Sequence, residues 1–117
     1  MNVIQRDVDG VAVLDLVGRL TSTEGVGLLG GRVATLLADG RTRVVLNLGQ
    51  LSYMDSSGLG EMVSCYSKLQ KAGGVIKLAQ TTDRIQDLLA ITRLVTIFDS
   101  YDTEALALAS LAMGVEG

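Results

Sequence analysis

With 117 residues, 48% of them apolar and none of them proline, the chain has room for one domain with an aliphatic core, Phe98 and three tyrosines being its only aromatics. A net charge of −3 argues against a phosphate-tracking surface, so no nucleic-acid partner is expected, and the absence of histidine removes the commonest general base, the Ser-His-Asp triad and the usual zinc ligand. Apolar runs such as 44–46 and 106–109 fall far short of the roughly 18 residues of a membrane span, no apolar signal segment follows Met1, and Cys65 stands alone, so a cytoplasmic chain without disulfides or membrane contact is expected.

Residues 1–8 and 11–17 read as strands flanking Asp9-Gly10, a dipeptide suited to a two-residue hairpin turn. The second strand puts Ala12, Leu14 and Leu16 on one face and Asp15 among Val11, Val13 and Val17 on the other, which predicts only partial cover for that other face. Thr21, Ser22 and Thr23 are each acceptable helix caps and Glu24 suits a first turn, so a helix is predicted from there to Ala38. Its apolar positions are Val26, Leu29, Val33, Leu36 and Leu37, and Asp39-Gly40 is its stop.

The consecutive Val44, Val45 and Leu46 within 43–48 mark a strand covered on both faces, the centre of the sheet. A helix running to Lys71 presents Leu59, Met62, Val63, Tyr66 and Leu69 on one side and Glu61, Ser64, Lys68 and Lys71 on the other, with Cys65 as an inert small side chain and Gly73-Gly74 as its end. Residues 75–79 form a further strand, Thr81-Thr82-Asp83 caps a helix with Ile85, Leu88 and Leu89 inward, and 95–98 reads as an edge strand. Asp102 is expected to cap a last helix over 103–113, with Leu106, Ala109, Ser110 and Met113 sharing a side. Lys68, Lys71 and Lys77 are scattered and expected to be solvated. A hairpin followed by alternating helix and strand predicts an α/β domain: a mixed, mostly parallel sheet covered by about four helices.

Three stretches could carry chemistry. Gly25-Val-Gly-Leu-Leu-Gly30 has the GxGxxG spacing of dinucleotide sites, but Arg19 to Glu24 separate it from the preceding strand and Asn47 stands where an acidic residue should end the next one. That context argues against a nucleotide cofactor, the missing GxxxxGK(S/T) sequence excludes a P-loop, and with no histidine no metal is expected. Asp55 as a phosphoacceptor would need magnesium held by carboxylates at other strand ends, and the first two strands end in a turn and in Val17-Gly18-Arg19. The third stretch is Asp55-Ser56-Ser57-Gly58, where a helix starts although Gly58 and Gly60 each cost it about 1 kcal/mol relative to alanine. One serine could cap, yet neither has Glu or Gln three residues on, and a cap explains neither the second serine nor the glycines. A hydroxyl at a helix start, backed by unhindered backbone, suits another protein's active site: it reads as a substrate. Local chemistry does not separate Ser56 from Ser57.

Tyr53-Met-Asp-Ser-Ser-Gly-Leu-Gly60 resembles the signature of the anti-sigma factor antagonists, the STAS domain family, and the resemblance continues in Val17-Gly18-Arg19-Leu20, Ala90-Ile-Thr-Arg-Leu94, Ile97-Phe98 and Glu104-Ala105-Leu106. It implies a single STAS domain over 1–117, not an enzyme, in which Ser57 is the position phosphorylated by an anti-sigma factor that is also a serine kinase. The partner would meet Thr21, Asp55, Ser56, Ser57, Gly58 and Leu59, a serine phosphatase would reverse the modification, and the chain would be a monomer or weak dimer. Thr21, where many relatives carry an acidic residue, and the glycine-rich first helix depart from the pattern and bear on partner identity. A STAS subunit docking on an ABC-type ATPase would share the fold; the double serine favours the sigma-regulator reading over it and over a nucleotide hydrolase built on 25–31.

Overall fold

The computed structural model describes residues 1–112. Strands β1 (Asn2–Val8) and β2 (Val11–Leu20) form the expected hairpin; Asp9 and Gly10 take positive φ angles of 51° and 82°, as a two-residue turn matching strand twist requires. There follow α1 (Leu28–Ala38), β3 (Arg43–Asn47), β4 (Leu51–Met54), α2 (Ser56–Lys71), β5 (Val75–Ala79), α3 (Asp83–Ile91), β6 (Asp99–Tyr101) and α4 (Glu104–Ala112). The sheet runs β1-β2-β3-β5-β6, with every pairing after the hairpin parallel.

β2 is longer than its sequence pattern predicts and serves two partners. Ala12 to Asp15 pair with β3, whereas Gly18 to Leu20 pair with β4 beyond a register shift at Gly18/Arg19. Strand β4 falls in a stretch read from the sequence as the approach to a helix. It is short, and its alternation is broken because Leu51 and Met54 are both buried. Gly18 N–H donates to the Gln50 carbonyl at 3.1 Å and the Ser52 hydroxyl to the Gly18 carbonyl at 2.9 Å, fastening this second branch.

One face of the sheet packs Ala12, Leu14, Leu16, Val44, Leu46, Ile76 and Leu78 against α1, α2 and α3. The other packs Val11, Val13, Val45 and Ala79 against Ala107 and Leu111 of α4. Val11 and Val13 are therefore fully covered, where only partial cover was expected. On α4 the inward side is Ala107 and Leu111; Leu106 and Ala109 face outward, and Met113 lies outside the described residues. The helix is apolar all round, so its sequence does not choose a side. Its cap is Thr103, whose hydroxyl accepts from Leu106 N–H at 3.1 Å, and not Asp102. The predicted strand at 95–98 is instead a 3-10 turn, Leu94–Thr96, that delivers Phe98 to the core, and the edge strand follows it as β6. Lys77 is not solvated: its side chain is largely covered and its ammonium meets Asp99 at 2.6 Å. Among the described residues no helix is long and apolar enough to cross a membrane.

A polar clasp seats α4. Arg6 donates to both Asp15 oxygens, at 2.7 and 2.8 Å, and reaches Glu104 at 3.1 Å; Asn47 donates to Glu104 at 2.9 Å. The Arg6 guanidinium holds the Glu104 carboxyl below its usual range against the opposing pull of burial, and Asn47 assists. A carboxylate whose pKa is depressed by folding stabilises the fold above its unfolded value and loses that contribution as pH falls through the folded one. Glu104→Gln should therefore be less stable than the parent at pH 7, by about 1 kcal/mol because Arg6 is partly solvated. The gap should narrow as pH falls below about 4.5, the ordinary value for this group, which urea titrations at successive pH values would measure.

Candidate functional site

The start of α2 is set by Asp55. In extended backbone conformation, it accepts Gly58 N–H at 3.0 Å on one carboxylate oxygen and Ser22 N–H at 3.3 Å on the other, and its own N–H reaches the Leu20 carbonyl at 3.3 Å. One carboxylate thus caps α2 and ties it to the loop after β2. The cap expected of a serine belongs to the residue before. Ser56 and Ser57 consequently fill the first two helical positions, exposed, and among the described residues neither hydroxyl makes a hydrogen bond. Neither serine therefore has a base to activate it as a nucleophile. Asp55, with both oxygens engaged by backbone amides, has the surroundings of a cap and not of a phosphoacceptor.

The two glycines of the first turn have different causes. A Cβ on Gly58 would collide with the Leu20 carbonyl and lie 2.8 Å from Leu20 Cγ and 2.9 Å from Met54 Cγ, so Gly58 is buried where helix and strand touch backbone to backbone. A Cβ on Gly60 would meet nothing within 4 Å. Leu59, between them, points into the core. Thr21 is also buried: its hydroxyl accepts from Thr23 N–H at 3.3 Å and Glu24 N–H at 3.1 Å, closing a turn where the sequence predicts a helix start.

That helix begins seven residues later, at Leu28, because Gly25 and Gly27 take left-handed φ values of 77° and 83°. Val26, placed by periodicity on the inner face of the helix, is exposed. α1 has no side-chain cap of its own. Its free amides are met from α2 instead: Glu61 accepts from Gly27 N–H at 3.0 Å and from Gly30 N–H at 2.8 Å. Amides that a dinucleotide phosphate would need in the GxGxxG reading are thus already bonded to a protein carboxylate. Sequence periodicity assigns Glu61 to the polar side of α2, and only the missing cap of α1 hints at its task. Beside the site, the Tyr53 ring is flanked by the Arg19 and Arg84 guanidiniums at 4.9 and 5.2 Å, and Arg19 also meets Glu24 at 3.2 Å. Cys65 lies inside α2 against the core, its thiol pushed up to about 11 by burial and by Glu61, and is unreactive. Among the described residues no group of acidic or cysteine side chains is arranged to hold a metal.

The family model for the STAS domain matches residues 3–107. The anti-sigma F factor antagonist of Paenibacillus polymyxa is 35% identical over 68 residues, 58% of this chain and 58% of that protein. The anti-sigma-B factor antagonist of Bacillus subtilis is 42% identical over 52 residues, 44% of this chain and 48% of that protein, so these matches span about half the length of both relatives. In structure, the Bacillus anti-sigma factor antagonist SpoIIAA has the same fold: its unphosphorylated form superposes with a TM-score of 0.73 at 21% identity, over 95% of this chain and 98% of that one. Its phosphorylated form gives 0.75 at 22% identity, over 94% and 99%.

Because the two glycines have different causes, alanine should act on them in opposite directions. Gly58→Ala should destabilise by about 2–3 kcal/mol, since backbone must move to admit the methyl group. Gly60→Ala, in open helical space, should stabilise by about 0.5–1 kcal/mol. Urea midpoints of the two variants and the parent would test both signs.

Proposed function

From the chain's membership of the STAS domain family, we propose that it is an anti-sigma factor antagonist, which binds an anti-sigma serine kinase when unmodified and releases it when Ser57 carries phosphate. The observation that carries this reading is that Asp55 performs the capping and leaves Ser57 exposed at the helix start, its hydroxyl without a partner among the described residues. The relatives' names supply the partner class, and SpoIIAA, which has the same fold, exists in both modification states. Ser57 is chosen over Ser56 by family resemblance. The chain itself is the substrate and performs no catalysis. A serine phosphatase returns it to the binding state, and the whole cycle is placed in the cytoplasm.

Elementary electrostatics gives the sign of the switch. A phosphate at the second helical position gains about 0.3–2 kcal/mol from the helix N-terminus. Against this stands Asp55, fixed by two amides; a dianion roughly 5 Å away is repelled by about 2 kcal/mol even at the dielectric of water. Glu61, one turn along on the same face, adds to the repulsion. The repulsion exceeds the gain by roughly 2 kcal/mol at most, a fraction of the ~5–15 kcal/mol that holds a domain together, so the free chain stays folded when modified. At an interface the balance is worse: burying an unpaired dianion costs several kcal/mol, and a loss of about 3–4 kcal/mol lowers affinity ~10²- to 10³-fold.

Ser57→Asp should weaken binding to the anti-sigma kinase while the thermal midpoint stays within about 3 °C, as a surface substitution should; unfolding would instead make the residue structural. Ser57→Ala should bind yet gain no mass on incubation with that kinase and ATP. Phosphate found on Ser56 would overturn the assignment.

A further inference from the structure

Among the described residues the large exposed apolar side chains are Ile4, Val26, Leu28, Ile91 and Leu106, and two of these sit two residues apart where the loop after β2 enters α1: Val26 in the loop and Leu28 at the first helical position. Val26 is 64% and Leu28 48% exposed. We propose that Val26 and Leu28 form an apolar anchor by which this chain selects its anti-sigma partner, seating in a shallow apolar pocket next to the site that receives Ser57; this rests on the reading of Ser57 given above.

The loop is built to turn these side chains outward. Helical periodicity would place Val26 with Leu29 and Val33 on the buried side of α1. Gly25 and Gly27, both left-handed, end that periodicity before Leu28, and Gly25 is confined further by the Met1 side chain and the Arg19 carbonyl. The loop is also held against the Ser57 face. Glu61 lies one turn after Ser57 on the same side of α2, and its two oxygens bracket Leu28 through the amides of Gly27 and Gly30. Asp55 holds the other end through Ser22 N–H. Between them Gly60 leaves bare helix backbone, open to close approach.

Size and charge choose the occupant. Burying the exposed parts of a valine and a leucine removes roughly 100 Å² of apolar surface from water, far below the ~800 Å² per partner of a stable interface. The pair can therefore act only within a larger contact, and the Ser57 face is continuous with it. A lipid surface is disfavoured by Asp55 and Glu61 beside the patch and by the net charge of −3, Glu24 being paired with Arg19. Asp55 and Glu61 call for a basic rim on the partner's pocket.

The test uses a purified anti-sigma serine kinase with ATP, scored first for phosphate transfer to Ser57 of the wild-type chain. Val26→Ser and Leu28→Ser should each weaken binding about tenfold by calorimetry, and the double variant about 10²-fold. In phosphate transfer the double variant should raise KM with kcat unchanged. Its thermal midpoint should match the parent's, and Leu106→Ser, on the helix covering the opposite face of the sheet, should bind as the parent does. Unchanged affinity and KM in the double variant would remove the anchor while leaving the Ser57 reading intact. Failure of any such kinase to modify the wild-type chain would remove both. A double variant that altered the sedimentation of the free chain, with kinase affinity unchanged, would make the patch a contact between copies and overturn the proposal.

Discussion

The contact between the end of β2 and the first turn of α2 is the constraint on which the site depends. Gly58 lies so close to the Leu20 carbonyl that no side chain fits between them. This approach is possible because β2 continues past β3 and pairs with β4, which brings Leu20 beside Met54 just ahead of the helix. Once strand and helix are in that contact, Asp55 N–H can bond the Leu20 carbonyl while the Asp55 side chain caps the helix and holds the following loop. The two serines are then left outside, because every inward position of the turn is already taken.

The same contact explains why Gly58 and Gly60, alike in sequence, differ in kind. Gly58 is fixed by packing, whereas nothing within the described chain occupies the space over Gly60. Unhindered backbone, expected at both positions, is present only at Gly60. A sequence shows that a side chain is missing, but not whether protein or solvent fills its place.

Much of the fold was legible because period and punctuation agree. Asp9-Gly10, the all-apolar centre of β3, the ends of β5 and the Thr82 cap are each written in adjacent residues. The losses share a different cause, in that distant residues decided them. α1 starts at Leu28, past the left-handed Gly25 and Gly27, and the cap it lacks comes from Glu61, thirty-four positions from Gly27. β4 exists because β2 is long enough to offer it an edge, and the inward side of α4 is set by Arg6 and Asn47 gripping Glu104. At the site, the Asp-Ser-Ser-Gly motif was visible in sequence, but the assignment of the cap to Asp55 needed the backbone.

Two carboxylates, Asp55 and Glu61, occupy the two helix N-termini that meet at this surface. Helix N-termini are where a protein would ordinarily receive an anionic group. Asp55 takes the Gly58 amide and Glu61 those of Gly27 and Gly30, so a phosphate on Ser57 would meet carboxylates already seated at both helix starts. The neighbouring guanidiniums of Arg19 and Arg84 lie against Tyr53, and Arg19 is already shared with Glu24. Under the proposed function this makes the switch one of charge on a fixed platform: the modification leaves the fold in place and changes only what the surface presents to a partner. A chain built this way needs no conformational transition to signal its state, and the capping that stabilises its helices is also what keeps the added charge outside.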